Sequence, residues 1–259
     1  MTALKRSVLT VGAASVSHVN TPSSPEQALT RVVQWVGAGE TAKAKALCRQ
    51  AIAASPSYAG LYQMLAFLDL QDGDIVQARK HITLALTLRP AHAPSLLIAG
   101  NAAMAAGELA AALEFHAHAH ALAPDRADAA LALGSTQHAC GLLHEARRSL
   151  EIAVARAAGS EQAWFHLALV KQDLGDHPGA IHALRRVLEL APHRAEVEVN
   201  LGIVLQDAGR LDEAMQAYAR AYRLRADTFG RISNALVSAP RGCLWLDLDD
   251  LRETLATLE

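Results

Sequence analysis

The chain has 259 residues, of which 51% are apolar and 4% aromatic, and its formal net charge is -2. This apolar content suffices to bury a core, which excludes disorder along the whole chain, and the scarcity of aromatic residues favours closely packed helices over a β-sandwich. The near balance of acidic and basic residues excludes a global electrostatic footprint for nucleic acid or an anionic membrane surface, so neither is an expected partner.

The first predicted segment is a flexible N-terminal tail, residues 1–24. Lys5 and Arg6 precede a mildly apolar stretch, residues 8–16, which Thr, Gly and Ser interrupt. We predict a cytoplasmic protein, with export to the periplasm as the alternative if the tail acts as a weak signal peptide. No apolar run approaches the roughly 20 residues that a membrane-spanning helix needs, so no membrane partner is predicted.

A repeat follows the tail. Glycine recurs every 34 residues from position 39 to position 209, and an alanine follows each of these glycines by five residues. Such a period predicts stacked structural units. The six predicted units have no insertion and span 25–58, 59–92, 93–126, 127–160, 161–194 and 195–228.

Each unit contains two segments of helical periodicity around its glycine, which predicts a helix-turn-helix hairpin. The glycine supplies a positive φ angle at the end of the first helix, where a Cβ would be strained. The alanine is expected to face a small residue of the first helix, so that the two helices approach closely. Prolines end most of the second helices, because proline disfavours helical backbone at the preceding residue. They are Pro56, Pro90, Pro124 and Pro192.

The recurring small residue, glycine turn, alanine, bulky apolar residue, second alanine and proline resemble the tetratricopeptide repeat (TPR) family. The resemblance covers about four fifths of the chain, and the first unit departs from it, with Arg31 and Val32 where Leu and Gly are usual. It implies an all-α fold, a right-handed α-solenoid of six repeats with C-terminal capping helices. It also implies that the first helices line a concave groove that binds other proteins.

Residues 229–259 are predicted to form a C-terminal helical cap or docking segment. Short helices are expected over 229–237 and around 248–258, with Asp247 as the N-cap of the second. Five apolar residues are predicted to cover the sixth hairpin, or else to dock into a partner: Leu244, Trp245, Leu246, Leu248 and Leu251.

The resemblance also assigns residues of the first helices to the groove. The predicted partner-binding residues are Met64, Phe67, Leu97, Asn101, Leu131, Ser135, His138, Phe165, Leu169, Asn200, Ile203 and Gln206. Most charges of the first helices are acidic, whereas most lysines and arginines lie on the second helices. This split predicts a peptide or helix that is apolar with positive charge. The alternative is that both sets of charges are solvated helix faces.

No catalytic role is predicted, since no nucleophile elbow, phosphate-binding loop, dinucleotide-binding motif or zinc-protease motif is present. His116 and His120 lie one helical turn apart, but no further ligand completes a metal site, so neither a metal nor another cofactor is predicted. Cys48, Cys140 and Cys243 lack the spacing of a disulfide framework or a zinc site.

The sequence therefore predicts a non-catalytic protein-binding scaffold, an adaptor or co-chaperone. One alternative is a self-assembling module that uses the C-terminal segment to form a homo-oligomer. Another is an accessory subunit that holds the substrate of a separately encoded modifying enzyme or transferase.

Overall fold

The computed structural model describes residues 24–238 and 248–258. Twelve α-helices form six consecutive hairpins, and the fold is an all-α solenoid. The hairpins are α1 (Pro25–Gly37) with α2 (Thr41–Ala54), α3 (Ala59–Gln71) with α4 (Ile75–Leu88), α5 (Ala93–Ala105) with α6 (Leu109–Leu122), α7 (Ala127–Ala139) with α8 (Leu143–Arg156), α9 (Glu161–Asp173) with α10 (His177–Leu190), and α11 (Ala195–Asp207) with α12 (Leu211–Leu224). A 3-10 helix (Ala226–Thr228), α13 (Phe229–Ser238) and α14 (Leu248–Thr257) follow.

Each hairpin turns at its repeated glycine, just after the first helix. The φ angles of these six glycines lie between 73° and 77°. This left-handed region is strained for a residue with a Cβ, which explains the recurrence of glycine. Four second helices end two residues before a proline, as α4 does at Leu88 before Pro90.

The two helices of a hairpin pack closely because a small residue of the first helix leaves room for a large side chain of the second. A Cβ on Gly202 would lie 2.3 Å from Cε1 of Tyr218, and one on Gly100 would lie 2.2 Å from Nε2 of His116. The alanine after each turn is fully buried, as expected. However, a bulky residue four positions beyond that alanine fills the space above these glycines.

Successive hairpins stack through one face of each first helix. In α3, Leu61, Leu65 and Leu68 are at most 1% exposed and pack into the core of the first hairpin. The same positions of α1 hold three polar residues, which are Gln27, Arg31 and Gln34. The unusual Arg31 of the first unit therefore belongs to a polar face of α1.

The C-terminal end of the solenoid is covered by α13 and α14. Ile232 and Leu236 of α13 and Leu251 and Leu255 of α14 are at most 1% exposed and share one core with Tyr218. Leu248 is 49% exposed and does not take part in the cover predicted for it. The other residues assigned to this cap, Leu244, Trp245 and Leu246, lie outside the described residues, as do Asp247 and the predicted tail up to residue 23.

Candidate partner-binding groove

The first helices form a common surface with a pocket of about 380 Å³ at its N-terminal half, between α3, α5 and α7. We call it the apolar pocket. Its apolar lining consists of Phe67, Pro94, Leu97, Ile98, Leu131 and Ala132. Its polar lining consists of Gln63, Asn101, Arg126, Asp128, Ser135 and Gln162. All but Arg126 belong to first helices, because helical residues spaced by three or four positions share one face.

The apolar pocket contains five of the predicted groove residues: Phe67, Leu97, Asn101, Leu131 and Ser135. Residues that the prediction missed follow the same register, since Gln63 occupies in α3 the position of Leu97 in α5 and Leu131 in α7. An alignment of the repeats would have identified these residues. Arg126 precedes α7 and therefore does not belong to the register of first-helix residues.

Arg126 and Asp128 form a two-point ion pair at the edge of the apolar pocket. Nε and Nη2 of Arg126 donate to the two carboxylate oxygens of Asp128 over 3.0 Å and 2.6 Å. Hydrogen bonding from this guanidinium lowers the pKa of Asp128. Both oxygens of Asp128 are thus occupied, and the edge of the pocket is close to neutral.

Two further predicted residues lie between the apolar pocket and the C-terminal end. Nε2 of His138 on α7 lies 2.6 Å from Oδ2 of Asp173 on α9. His166, also on α9, is half-buried, and this burial, together with the charge of His138, lowers the pKa of His166. Leu169 is half-buried on the same helix. The structure thus brings His138 to a carboxylate that the prediction did not assign to it.

Met64 and Phe165, which were also assigned to the groove, pack against other side chains of this protein. Met64 packs against the core of the first hairpin. The guanidinium of Arg194 lies 5.6 Å from the ring centroid of Phe165, while Arg194 also contacts Glu161 and Glu196. Neither side chain lines the apolar pocket.

A second pocket, of about 290 Å³, lies between α11 and α13, and we call it the end pocket. It is lined by Ile203, Gln206, Asp207, Arg231, Asn234, Ala235 and Ser238. Arg231 donates to Oδ1 of Asn200 over 3.0 Å. The helix α13 was predicted only as a cap, so its contribution to this face was missed.

The structure corrects the assignment of Gln206 to the exposed groove. Gln206 is only 1% exposed. Its side-chain amide donates to the Ala235 carbonyl over 3.1 Å and accepts from the Tyr218 hydroxyl over 2.8 Å. Both ends of the amide are therefore used to join α11, α12 and α13. Gln206 forms the floor of the end pocket, and its amide is engaged within the protein at both ends.

Most carboxylates of the first helices contact a basic side chain. Of the nine carboxylates on these helices or directly after them, seven contact a basic side chain, and only Glu26 and Asp207 do not do so within the described residues. The contacts are Asp69 and Asp72 with Lys45, Asp128 with Arg126, Glu161 and Glu196 with Arg194, Asp173 with His138, and Glu198 with Arg220. Neighbouring hairpins supply several of these partners. The two carboxylates without such a contact, Glu26 and Asp207, lie toward the two ends of this face.

One histidine of the histidine-rich stretch of α6 is part of the core. His116 is 1% exposed, and its Nδ1 lies 2.7 Å from Oγ1 of Thr136. No group of three or more His, Cys, Asp or Glu residues in the described parts of the chain could hold a metal ion.

Burial raises the pKa of the Cys48 thiol to about 12, which makes a thiolate nucleophile there unfavourable.

The fold and its face of parallel first helices define an α-solenoid of helical hairpins. Two models of one family, described as tetratricopeptide repeat, match residues 36–96 and 159–227, which together make up half of the chain. The chain belongs to the tetratricopeptide repeat family. Membership supports a role as a protein-interaction scaffold in general, and such repeats are typically non-catalytic.

Solved structures with the same fold are similar over most of the chain. MamA is 23% identical, with a TM-score of 0.59 and coverage of 66% of this chain and 93% of its own. PilF of Pseudomonas aeruginosa is 18% identical, with a TM-score of 0.69 and coverage of 78% and 91%. YrrB is 20% identical, with a TM-score of 0.59 and coverage of 70% and 93%. These identities show the fold alone.

A search of curated proteins gives no match. Across residues 24–238 and 248–258, no helix combines the length and the apolar character that crossing a bilayer requires.

Proposed function

We propose that this protein binds an extended segment of a partner protein along its first helices. The observation that carries the proposal is the apolar pocket, in which Phe67, Leu97 and Leu131 surround polar side chains such as Asn101 and Ser135. Its volume of about 380 Å³ falls in the range of typical ligand sites.

The chemistry of the pocket fits an extended backbone. Such a segment carries unpaired amide and carbonyl groups that must be satisfied when they leave water. The Asn101 side chain has both a donor and an acceptor for them, and an apolar side chain of the segment can enter between Phe67 and Leu131. YrrB is described as a TPR protein with an unusual peptide-binding site, which is in line with peptide binding to this fold.

A random library of 16-residue peptides displayed on phage tests this proposal. We expect the protein to select peptides with a recurring apolar residue, and we expect Phe67→Ala to weaken their binding about tenfold by removing one wall of the pocket. Phe67 is 37% exposed, so the truncation should leave the fold intact.

The matched control is Leu84→Ala, since Leu84 is 40% exposed but lies on a second helix. Its peptide affinities should equal those of the unmodified protein. If Phe67→Ala binds the selected peptides as tightly as Leu84→Ala does, the apolar pocket is not the binding site.

A further inference from the structure

We propose that the end pocket takes a basic side chain of the same extended segment whose apolar side chain enters the apolar pocket. This inference rests on the proposed function and assigns the partner a specific charge at a specific place. It follows from the position of Asp207, from the geometry of α13 and from the distance between the two pockets.

Asp207 is the one carboxylate of the first helices that both lines a pocket and lacks a basic partner within residues 24–238 and 248–258. It is also the last residue of α11, where the negative end of the helix dipole disfavours an acidic side chain. Asp173, at the same position of α9, has His138 beside it. Asp207 is thus an acidic residue at the negative end of a helix dipole with no basic side chain beside it among the described residues. Unfavourable local features of this kind often occur at binding sites.

Arg231 lies on the opposite wall of the end pocket, yet no ion pair joins it to Asp207. One of its Nη atoms donates to Asn200, which leaves further guanidinium donors. An acceptor and a donor of opposite charge therefore remain apart across the pocket. A basic residue of an extended segment fits both, with its side chain on Asp207 and its main-chain carbonyl on Arg231.

The walls of the end pocket are held in place before any partner binds. Gln206 connects α11 to the Ala235 carbonyl of α13 and to the Tyr218 hydroxyl of α12. Ile232 and Leu236 anchor the opposite side of α13 in the core. A preformed site loses less conformational freedom on binding than a mobile one does.

One extended segment can reach both pockets. The apolar pocket is centred on α5 and the end pocket lies between α11 and α13, so their centres are about three steps apart, each step leading from one first helix to the next. Packed helices lie about 8–10 Å apart, which gives a span of roughly 30 Å. An extended chain covers this span in about nine residues. The basic residue and the apolar residue of the partner should therefore be about nine positions apart.

The same displayed library of 16-residue peptides tests the inference on the full chain. Peptides selected by the unmodified protein should carry Lys or Arg about nine positions from an apolar residue. Their binding should weaken on the order of tenfold in Asp207→Lys and less in Asp207→Asn. A fresh selection on Asp207→Lys should enrich Asp or Glu at that peptide position.

Glu26→Lys is the matched control, because Glu26 also lacks a basic partner among the described residues but lines neither pocket. It should leave the selection unchanged. If Phe67→Ala abolishes binding but the peptides show no basic preference, or if Glu26→Lys weakens binding as much as Asp207→Lys, the inference is overturned and the proposed function stands. If binding does not depend on Phe67, both are overturned.

Discussion

Three buried or half-buried histidines, His92, His116 and His166, should make the stability of this protein depend on pH. His116 occupies the position of the second helix that Leu150 and Tyr218 occupy in other hairpins, and it is 1% exposed. Burial lowers the pKa of His116, and it also lowers the pKa values of His92 and His166. The charged imidazolium is disfavoured in these places because it loses its hydration.

The free energy of unfolding should fall as the pH drops below about 6.5, the ordinary pKa of histidine. A lowered pKa means that the folded chain binds fewer protons than the unfolded chain in this range. The contribution of these histidines is therefore fully present above the unfolded pKa and is lost as the pH falls toward the folded value. Urea denaturation at pH 7.5 and pH 5.5 measures the difference.

The variant His116→Leu isolates one of these histidines. Leu150 already packs above Gly134 in the next hairpin as His116 packs above Gly100, so leucine should fit. Thr136 keeps its hydrogen bond to the Ala132 carbonyl. We expect unchanged or higher stability at pH 7.5 and a smaller loss at pH 5.5. A loss equal to that of the unmodified protein would show that His116 does not contribute.

At the scale of the element, the hairpin depends on close contact between its two helices. Gly202→Ala should reduce the free energy of unfolding by about 1–3 kcal/mol, because the new Cβ would lie 2.3 Å from the ring of Tyr218. Tyr218 is fully buried and its hydroxyl donates a hydrogen bond to Gln206, so its ring cannot move aside freely. Denaturant titration followed by circular dichroism measures the change.

Gly230→Ala is the control for this substitution. Gly230 lies in α13, and no atom lies within 4 Å of the position its Cβ would take. Alanine should therefore stabilise the helix slightly, by up to about 1 kcal/mol. An equal loss of unfolding free energy in both variants would mean that the close contact between α11 and α12 at Gly202 is not the cause of the loss.

The 34-residue period was sufficient to predict the hairpins, because the glycine turn and the prolines are local signals. The helix predicted over 229–237 is observed at Phe229–Ser238. The contacts of these carboxylates with basic side chains were not predicted, since several of the partners come from neighbouring hairpins, as with His138 and Asp173. Their separation of 35 residues is close to the period, because stacking places residues one repeat apart side by side. The contribution of α13 to the binding face depends on tertiary packing and has no local signal.

At the scale of the whole molecule, the two described ends of the solenoid are closed in different ways. A repeat protein buries its faces by stacking, so a terminal hairpin needs a polar surface or a cover. The C-terminal end is covered by α13 and α14, in which Leu236, Leu251 and Leu255 are buried. The N-terminal end has Gln27, Arg31 and Gln34 where α3 has three buried leucines. Polar side chains at this end disfavour stacking of a second copy.

Replacing all three polar residues by leucine, as Gln27→Leu, Arg31→Leu and Gln34→Leu together, should therefore cause self-association. The triple variant would present the same apolar surface that α3 buries against the first hairpin, and such a patch associates in water. Light scattering over a range of protein concentrations should show a mass that rises with concentration.

A control with the same number of leucines separates this effect from a general loss of polarity. Lys80, Arg148 and Arg185 are exposed on three different second helices, so replacing them by leucine creates no continuous patch. That variant should keep the mass of the unmodified protein at every concentration. Equal association of both triple variants would contradict a specific role of this face, whereas association of the N-terminal variant alone would show that these three polar side chains keep the face of α1 from associating.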